Sequence, residues 1–190
     1  MLNIRKGTHS ELEKYYTLME MDFDSEELFS KLTIHKGMMT GTLEFLVVYD
    51  EASGIDAGYV ITAVKSMYGY VLLKYMGITP WCRDQGIGVQ TMRLINKRYA
   101  DRQGIIAELT EFDDPDPDRM KKLRKFFNRF GYAELESDFT VSGVKDNIYL
   151  KQLKGKTDIK PVLHRIIIDF YSRILSPATM NKMIKIEANK

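Results

Sequence analysis

The chain has one cysteine, Cys82, so it cannot carry an internal disulfide, and a reducing cytoplasm is the expected setting. No apolar run approaches the ~20 residues needed to cross a bilayer. The opening Met1-Leu2-Asn3-Ile4-Arg5-Lys6 lacks the apolar stretch of a secretory leader. The three histidines, His9, His35 and His164, share no spacing, so neither a zinc site nor a Ser-His-Asp arrangement is expected, and no metal is called for. Internal repeats and low-complexity tracts are also missing. What remains is an ordinary globular composition, 44% hydrophobic and 28% charged over 190 residues, enough to bury a core without staples.

Charge is distributed unevenly. Residues 151–190 hold nine of the 28 basic side chains and three of the 26 acidic ones, leaving 19 basic against 23 acidic in the first 150. A mildly acidic body gives no footing for nucleic acid. The basic tail carries Val162, Leu163, Ile166, Ile167, Ile168, Phe170, Tyr171, Ile174 and Leu175. These must pack on the domain itself, on a second copy in a homodimer, or on a membrane surface through the flanking lysines, the first two being expected ahead of the third.

Periodicity places the elements. Leu2–Arg5 alternates as a short strand, Thr8 or Ser10 caps a helix through Met21, and Ser25-Glu26-Glu27 opens a second helix through Leu32. Leu43–Tyr49 and Ala57–Val64 form a hairpin and Tyr70–Ile78 a third strand of the meander. Gly86–Arg102 reads as an amphipathic helix closed by Gly104, and Ile105–Leu109 as the strand after it. Glu111 to Asp118, with two prolines and five acids, is a loop before a helix through Phe130. Tyr132–Val141 and Asn147–Leu153 form a last hairpin. Residues 154–160 read as a linker and 161–190 as a C-terminal helical extension of the domain 1–153. The result is a mixed α/β domain.

One stretch carries chemistry: Ile78-Thr79-Pro80-Trp81-Cys82-Arg83-Asp84-Gln85-Gly86-Ile87-Gly88. A strand ends, a proline turns the chain, and glycines open a helix whose first N–H groups are unpaired and face an anion favourably. That is a phosphate cradle. It is neither a Walker loop, since Val89-Gln90 follows the second glycine, nor the three-glycine dinucleotide fingerprint. Cys82 inside it reads as a bystander.

The pattern Ile78-x-Pro80-x-x-Arg83-x-x-Gly86-x-Gly88 resembles motif A of the GNAT superfamily of N-acetyltransferases (V-x-P-x-x-R/Q-x-x-G-x-G/A). Farther along, Phe126-Phe127-Asn128-Arg129-Phe130-Gly131-Tyr132 resembles the segment that ends that fold's fourth helix, and the element order agrees over residues 1–153. The resemblance implies the acyl-CoA N-acyltransferase fold: a mostly antiparallel sheet of about seven strands, splayed between the fourth and fifth, with helices on both faces. It implies acetyl-CoA as co-substrate, its pyrophosphate on the amides of Arg83, Asp84, Gln85, Gly86, Ile87 and Gly88 and its pantetheine along the main chain of Met76 and Ile78. It implies transfer of an acetyl group to a primary amine of a small molecule or peptide by direct attack in a ternary complex. For the general base it points to Glu108, with Glu111 second. The acidic run Glu111–Asp118 would favour a cationic amine. Phe127 stands where the family often has a tyrosine acid, and Met120 where it often has asparagine, so the acid falls to Tyr132, Tyr75 or water. A GNAT-fold module that binds an acyl-CoA or a protein partner without transfer is the alternative.

Overall fold

The structure, a computed structural model, describes residues 1–110 and 118–186. In chain order they form β1 (Leu2–Lys6), α1 (His9–Asp22), α2 (Lys31–Thr40), β2 (Leu43–Asp50), β3 (Asp56–Ala63), β4 (Tyr70–Ile78), α3 (Ile87–Arg98), β5 (Gly104–Thr110), α4 (Arg119–Arg129), β6 (Ala133–Leu135), β7 (Phe139–Val141), β8 (Val144–Gln152), α5 (Leu163–Ile174), α6 (Pro177–Met183) and β9 (Ile184–Ile186). The strands lie side by side in the order β1-β2-β3-β4-β5-β8-β7-β9, with β6 also pairing β8. Among the described strands β4 and β5 are the one parallel pair.

Alternation along the strands builds two apolar layers. On one face Tyr15 and Met19 of α1, Ile34 of α2 and Phe170 of α5 pack against Phe45, Tyr59, Leu72 and Ile106. On the other, Met92 and Ile95 of α3 and Phe127 of α4 pack against Val60, Val71, Leu73 and Ile105. Helix α1 starts where Thr8 and Glu11 cap each other reciprocally, and Arg5 grips the Glu11 carboxylate at 2.6 Å. Those bonds hold Glu11 down at about 2.

The second helix begins later than its sequence suggests. Ser25-Glu26-Glu27 lies in a turn, and Ser30 caps the helix by accepting from the Thr33 amide. The tail is built into the domain: Leu163, Ile166, Ile167, Phe170 and Tyr171 recur at helical spacing, and all are buried against the sheet and Phe29. Strand β9, which periodicity misses, pairs antiparallel with β7. No helix among the described residues is long and apolar enough to cross a membrane.

Candidate functional site

Strands β4 and β5 run together only from Tyr70 opposite Gly104 to Leu73 opposite Ala107. Beyond that point β4 follows β3 to Ile78, β5 follows β8 to Thr110, and the sheet opens into a V. A bulge marks the apex. Ile61 pairs Tyr75 and Thr62 pairs Leu73, so Lys74 is left without a partner on β3. The inserted residue puts Lys74 and Tyr75 on one face, where both reach the turn between α1 and α2. A cleft of about 830 Å³ runs over the V, bounded by that turn, by residues 82–88 and by α4.

The loop of the cradle lies at one end of this cleft. Asp84 (φ 61°) and Gly86 (φ 72°) are both left-handed, a conformation glycine adopts without steric penalty. The first bond of α3 runs from the Gln90 amide to the Gly86 carbonyl. The amides of Asp84, Gln85, Gly86, Ile87, Gly88 and Val89 donate no well-formed hydrogen bond among the described residues. They are therefore free to bind an anion together with the helix dipole. Gly88 adds to this. A Cβ there would meet Ile78 and Phe126 no closer than 3.9 Å, so interior packing does not demand a glycine, whereas close approach of a ligand would. Arg83 reaches across the mouth, donating from Nε to the Ile78 carbonyl at 3.2 Å and from Nη2 to Asp22 Oδ1 at 2.6 Å. Asp22, at the end of α1, also accepts from the Tyr59 hydroxyl.

The register fixes what β4 offers. The Thr79 amide donates to the Ala57 carbonyl, so the alternation continues through Gly77 and Tyr75 toward β3. Met76 and Ile78 then turn their backbone groups into the V, and Ile78 already lends its carbonyl to Arg83.

Glu108 stands on β5 at the apex, on the face of the sheet that carries α1, α2 and α5. It is not the solvent-facing strand carboxylate its position suggests. Its side chain and that of Lys74 are both 0% exposed, and Lys74 Nζ donates to Glu108 Oε2 at 2.8 Å. Tyr171 of α5 donates to the same oxygen at 2.6 Å and accepts from Lys74 at 2.9 Å. The rings of Phe29, Tyr75 and Tyr171 surround the ammonium at 5.4–5.5 Å. Burial pushes the lysine down, but the charge of Glu108 with Tyr171 and Tyr75 beside it overrides this and holds Lys74 well above its ordinary value. Burial, then Glu108, drive the Tyr171 hydroxyl far up as well. Asp146 of β8 is raised by burial and by Glu108, and takes a bond from Thr110 at 2.9 Å.

Glu111 and most of the acidic run lie outside the described residues. Phe127 is buried on the cleft wall and has no proton to give. The Tyr132 hydroxyl is bonded to Asn96, and the Tyr75 hydroxyl bridges the Phe29 amide and the Glu27 carbonyl. Cys82 is buried in the core below the loop. Sequence reading gives no site role to Lys74, Tyr171 or Glu27: Tyr171 reads as one of the apolar tail residues and Glu27 as part of a helix start. A lysine inside an apolar strand carries a signal only as an exception to the pattern, and the other two enter through tertiary packing.

No protein-family model matches the sequence, and no curated protein does. Solved structures do. A protein assigned to the GNAT acetyltransferases from Bacteroides thetaiotaomicron superposes with a TM-score of 0.71 at 15% identity, covering 92% of this chain and 99% of that one. The spermidine/spermine N-acetyltransferase SpeG from Vibrio cholerae gives 0.60 at 13% identity, over 80% and 92% of the two chains. Arabidopsis thaliana NAA60, solved with a bisubstrate analogue, gives 0.61 at 11% identity, over 82% and 100%. The chain has the fold of the GNAT acetyltransferases.

Proposed function

We propose that this protein is an N-acetyltransferase that takes its acetyl group from acetyl-CoA and delivers it to a primary amine of a small molecule or peptide. The observation that carries this is the run of amides from Asp84 to Val89, which donate no well-formed hydrogen bond among the described residues, at the mouth of a V between two parted parallel strands. Backbone donors at a helix start suit a diphosphate, and the free edge of β4 at Met76 suits an extended, amide-bearing arm laid down like an added strand. Gly88 leaves the room such a ligand needs. Acetyl-CoA, once bound, supplies an activated acetyl thioester.

The chain's own residues hold and orient. The cradle amides and the Arg83–Asp22 strap fix the anionic end, and the Met76 main chain aligns the arm toward the apex. Glu108 acts as a positioning residue. Its sealed carboxylate keeps Lys74 charged and ties β4, β5 and α5 together where the strands part. Phe127 in place of an acid favours the second reading, a module that binds an acyl-CoA without transfer.

Calorimetry with CoA, followed by thiol release from acetyl-CoA against spermidine and an alanine-led peptide, separates the two. Binding with turnover supports the transferase, binding without turnover on a broad amine panel supports the module, and absence of binding removes both.

A further inference from the structure

The reaction needs a base that the incoming amine can touch, and Glu108 is closed off beneath Lys74 and Tyr171. We infer that Glu27, in the turn between α1 and α2, is the carboxylate that receives the proton of the substrate ammonium. The inference rests on the acetyl-transfer reading.

Three observations place it there. Glu27 lines the cleft beside Lys74 and Glu108, at the apex of the V rather than at its phosphate end. The turn that carries it is fixed to the bulged strand, because the Tyr75 hydroxyl donates to the Glu27 carbonyl at 2.8 Å and accepts from the Phe29 amide at 2.8 Å. Ser142, in the β7–β8 turn, holds the neighbouring Glu26 carbonyl at 3.0 Å. The third concerns partners. Asp22 is taken by Arg83 and Tyr59, and Asp24 caps the turn through the Glu26 amide. Unlike Asp22 and Asp24, the half-buried Glu27 carboxylate makes no hydrogen bond or close ion pair among the described residues. A partly buried carboxylate without a partner is costly to maintain and is a frequent mark of a working group.

Its surroundings tune it suitably. Burial raises its pKa first. Lys74 and Arg119 pull down, and Glu108 and Asp24 push up, leaving it above the usual carboxylate value. Tyr75 and Asp146 face the same group. A carboxyl displaced upward is a better match for proton abstraction near neutral pH.

The step balances. Glu27 takes one proton from R–NH3⁺. The freed nitrogen pair forms the C–N bond to the acetyl carbon while the C–S bond breaks with its pair on sulfur. The second nitrogen proton ends on that sulfur, and Glu27 releases its own proton to water through the open cleft.

The test compares wild type, Glu27→Gln and Glu27→Asp in thiol release from acetyl-CoA with spermidine and the alanine-led peptide, across pH. E27Q is expected to lose about 100-fold or more in kcat/KM, with a flattened acid limb, unchanged CoA affinity and an unchanged Tm, and E27D to recover part of the rate. A readout without turnover accompanies it: carbon NMR of glutamate-labelled protein should show one carboxyl signal titrating above the usual range that E27Q removes. E27Q equal to wild type in rate and pH profile, or a Glu27 signal titrating in the ordinary range, overturns the inference and leaves acetyl transfer standing. Wild type that binds no CoA or releases no thiol sinks the acetyl-transfer reading itself, whatever E27Q does.

Discussion

Adding one methyl group at Gly88 sets the needs of the fold against those of the ligand. The nearest atoms to a new Cβ are 3.9 Å away, ordinary van der Waals contact, and the position lies in the first turn of α3. Replacing a helical glycine by alanine gains up to about 1 kcal/mol. G88A should therefore keep or raise Tm, yet weaken CoA by about tenfold because the methyl stands where phosphate oxygens approach; tenfold is about 1.4 kcal/mol. Thermal unfolding and calorimetry on one sample decide it, and unchanged CoA affinity would make Gly88 a packing residue only. The Lys74–Glu108 pair gives a different signature. Removing one member of a dry ion pair strands the other charge, so K74M should cost about 3–5 kcal/mol in urea unfolding. K74M/E108L, with both charges gone, should recover most of that loss. An additive double mutant would show that the pair is not coupled. Of these residues the sequence singled out Gly86 and Gly88 through the pattern Ile78-x-Pro80-x-x-Arg83-x-x-Gly86-x-Gly88, because two glycines before a helix are by themselves more often a packing turn. It did not reveal that Glu108 is sealed, because the group sealing it is Tyr171, 63 residues away.

At the scale of the element, periodicity located what repeats and misplaced what does not. Strands β2 to β5 and helices α3 to α5 each show a clean apolar face, and each lies within a few residues of its expected span. Helix α2 does not. Its stretch Lys31–Thr40 contains Gly37 and a weak apolar stripe, whereas Ser25-Glu26-Glu27 resembles a first turn without becoming one. That misplacement hid Glu27, which matters because it sits in a turn and not on a helix. Strand β9 has three described residues and is held by β7 rather than by a pattern of its own. Helix α5 is the informative case. Its apolar stripe was visible, but its partner was not, and the partner is the sheet face that carries the apex of the V. I166A, at a position 0% exposed, should cost about 2–5 kcal/mol of stability, as for other large-to-small core changes. Denaturant titration checks this, and a loss under 1 kcal/mol would mean that α5 is not core.

The molecule as a whole is a sheet interrupted at one seam. Among the described strands every pairing but one is antiparallel. The one parallel contact among the described strands stops after Leu73 and Ala107, and the cradle, the bulge and the turn bearing Glu27 all converge on that gap. The two apolar layers hold β4 against β3 and β5 against β8, so the strands can part without exposing the core. The order of elements could be read from periodicity, and the place of the gap only from the resemblance carried by residues 78–88; the chemistry lining it depends on the bulge at Lys74, which no periodicity announces. Binding of CoA in this gap rests on the amides of the loop before α3. Their proton–nitrogen correlation spectrum, followed as CoA is added to the full chain, should show the largest shifts at Asp84 to Val89, with Met76 moving alongside. A spectrum in which those amides stay still, while CoA either does not bind or perturbs another surface, would contradict it.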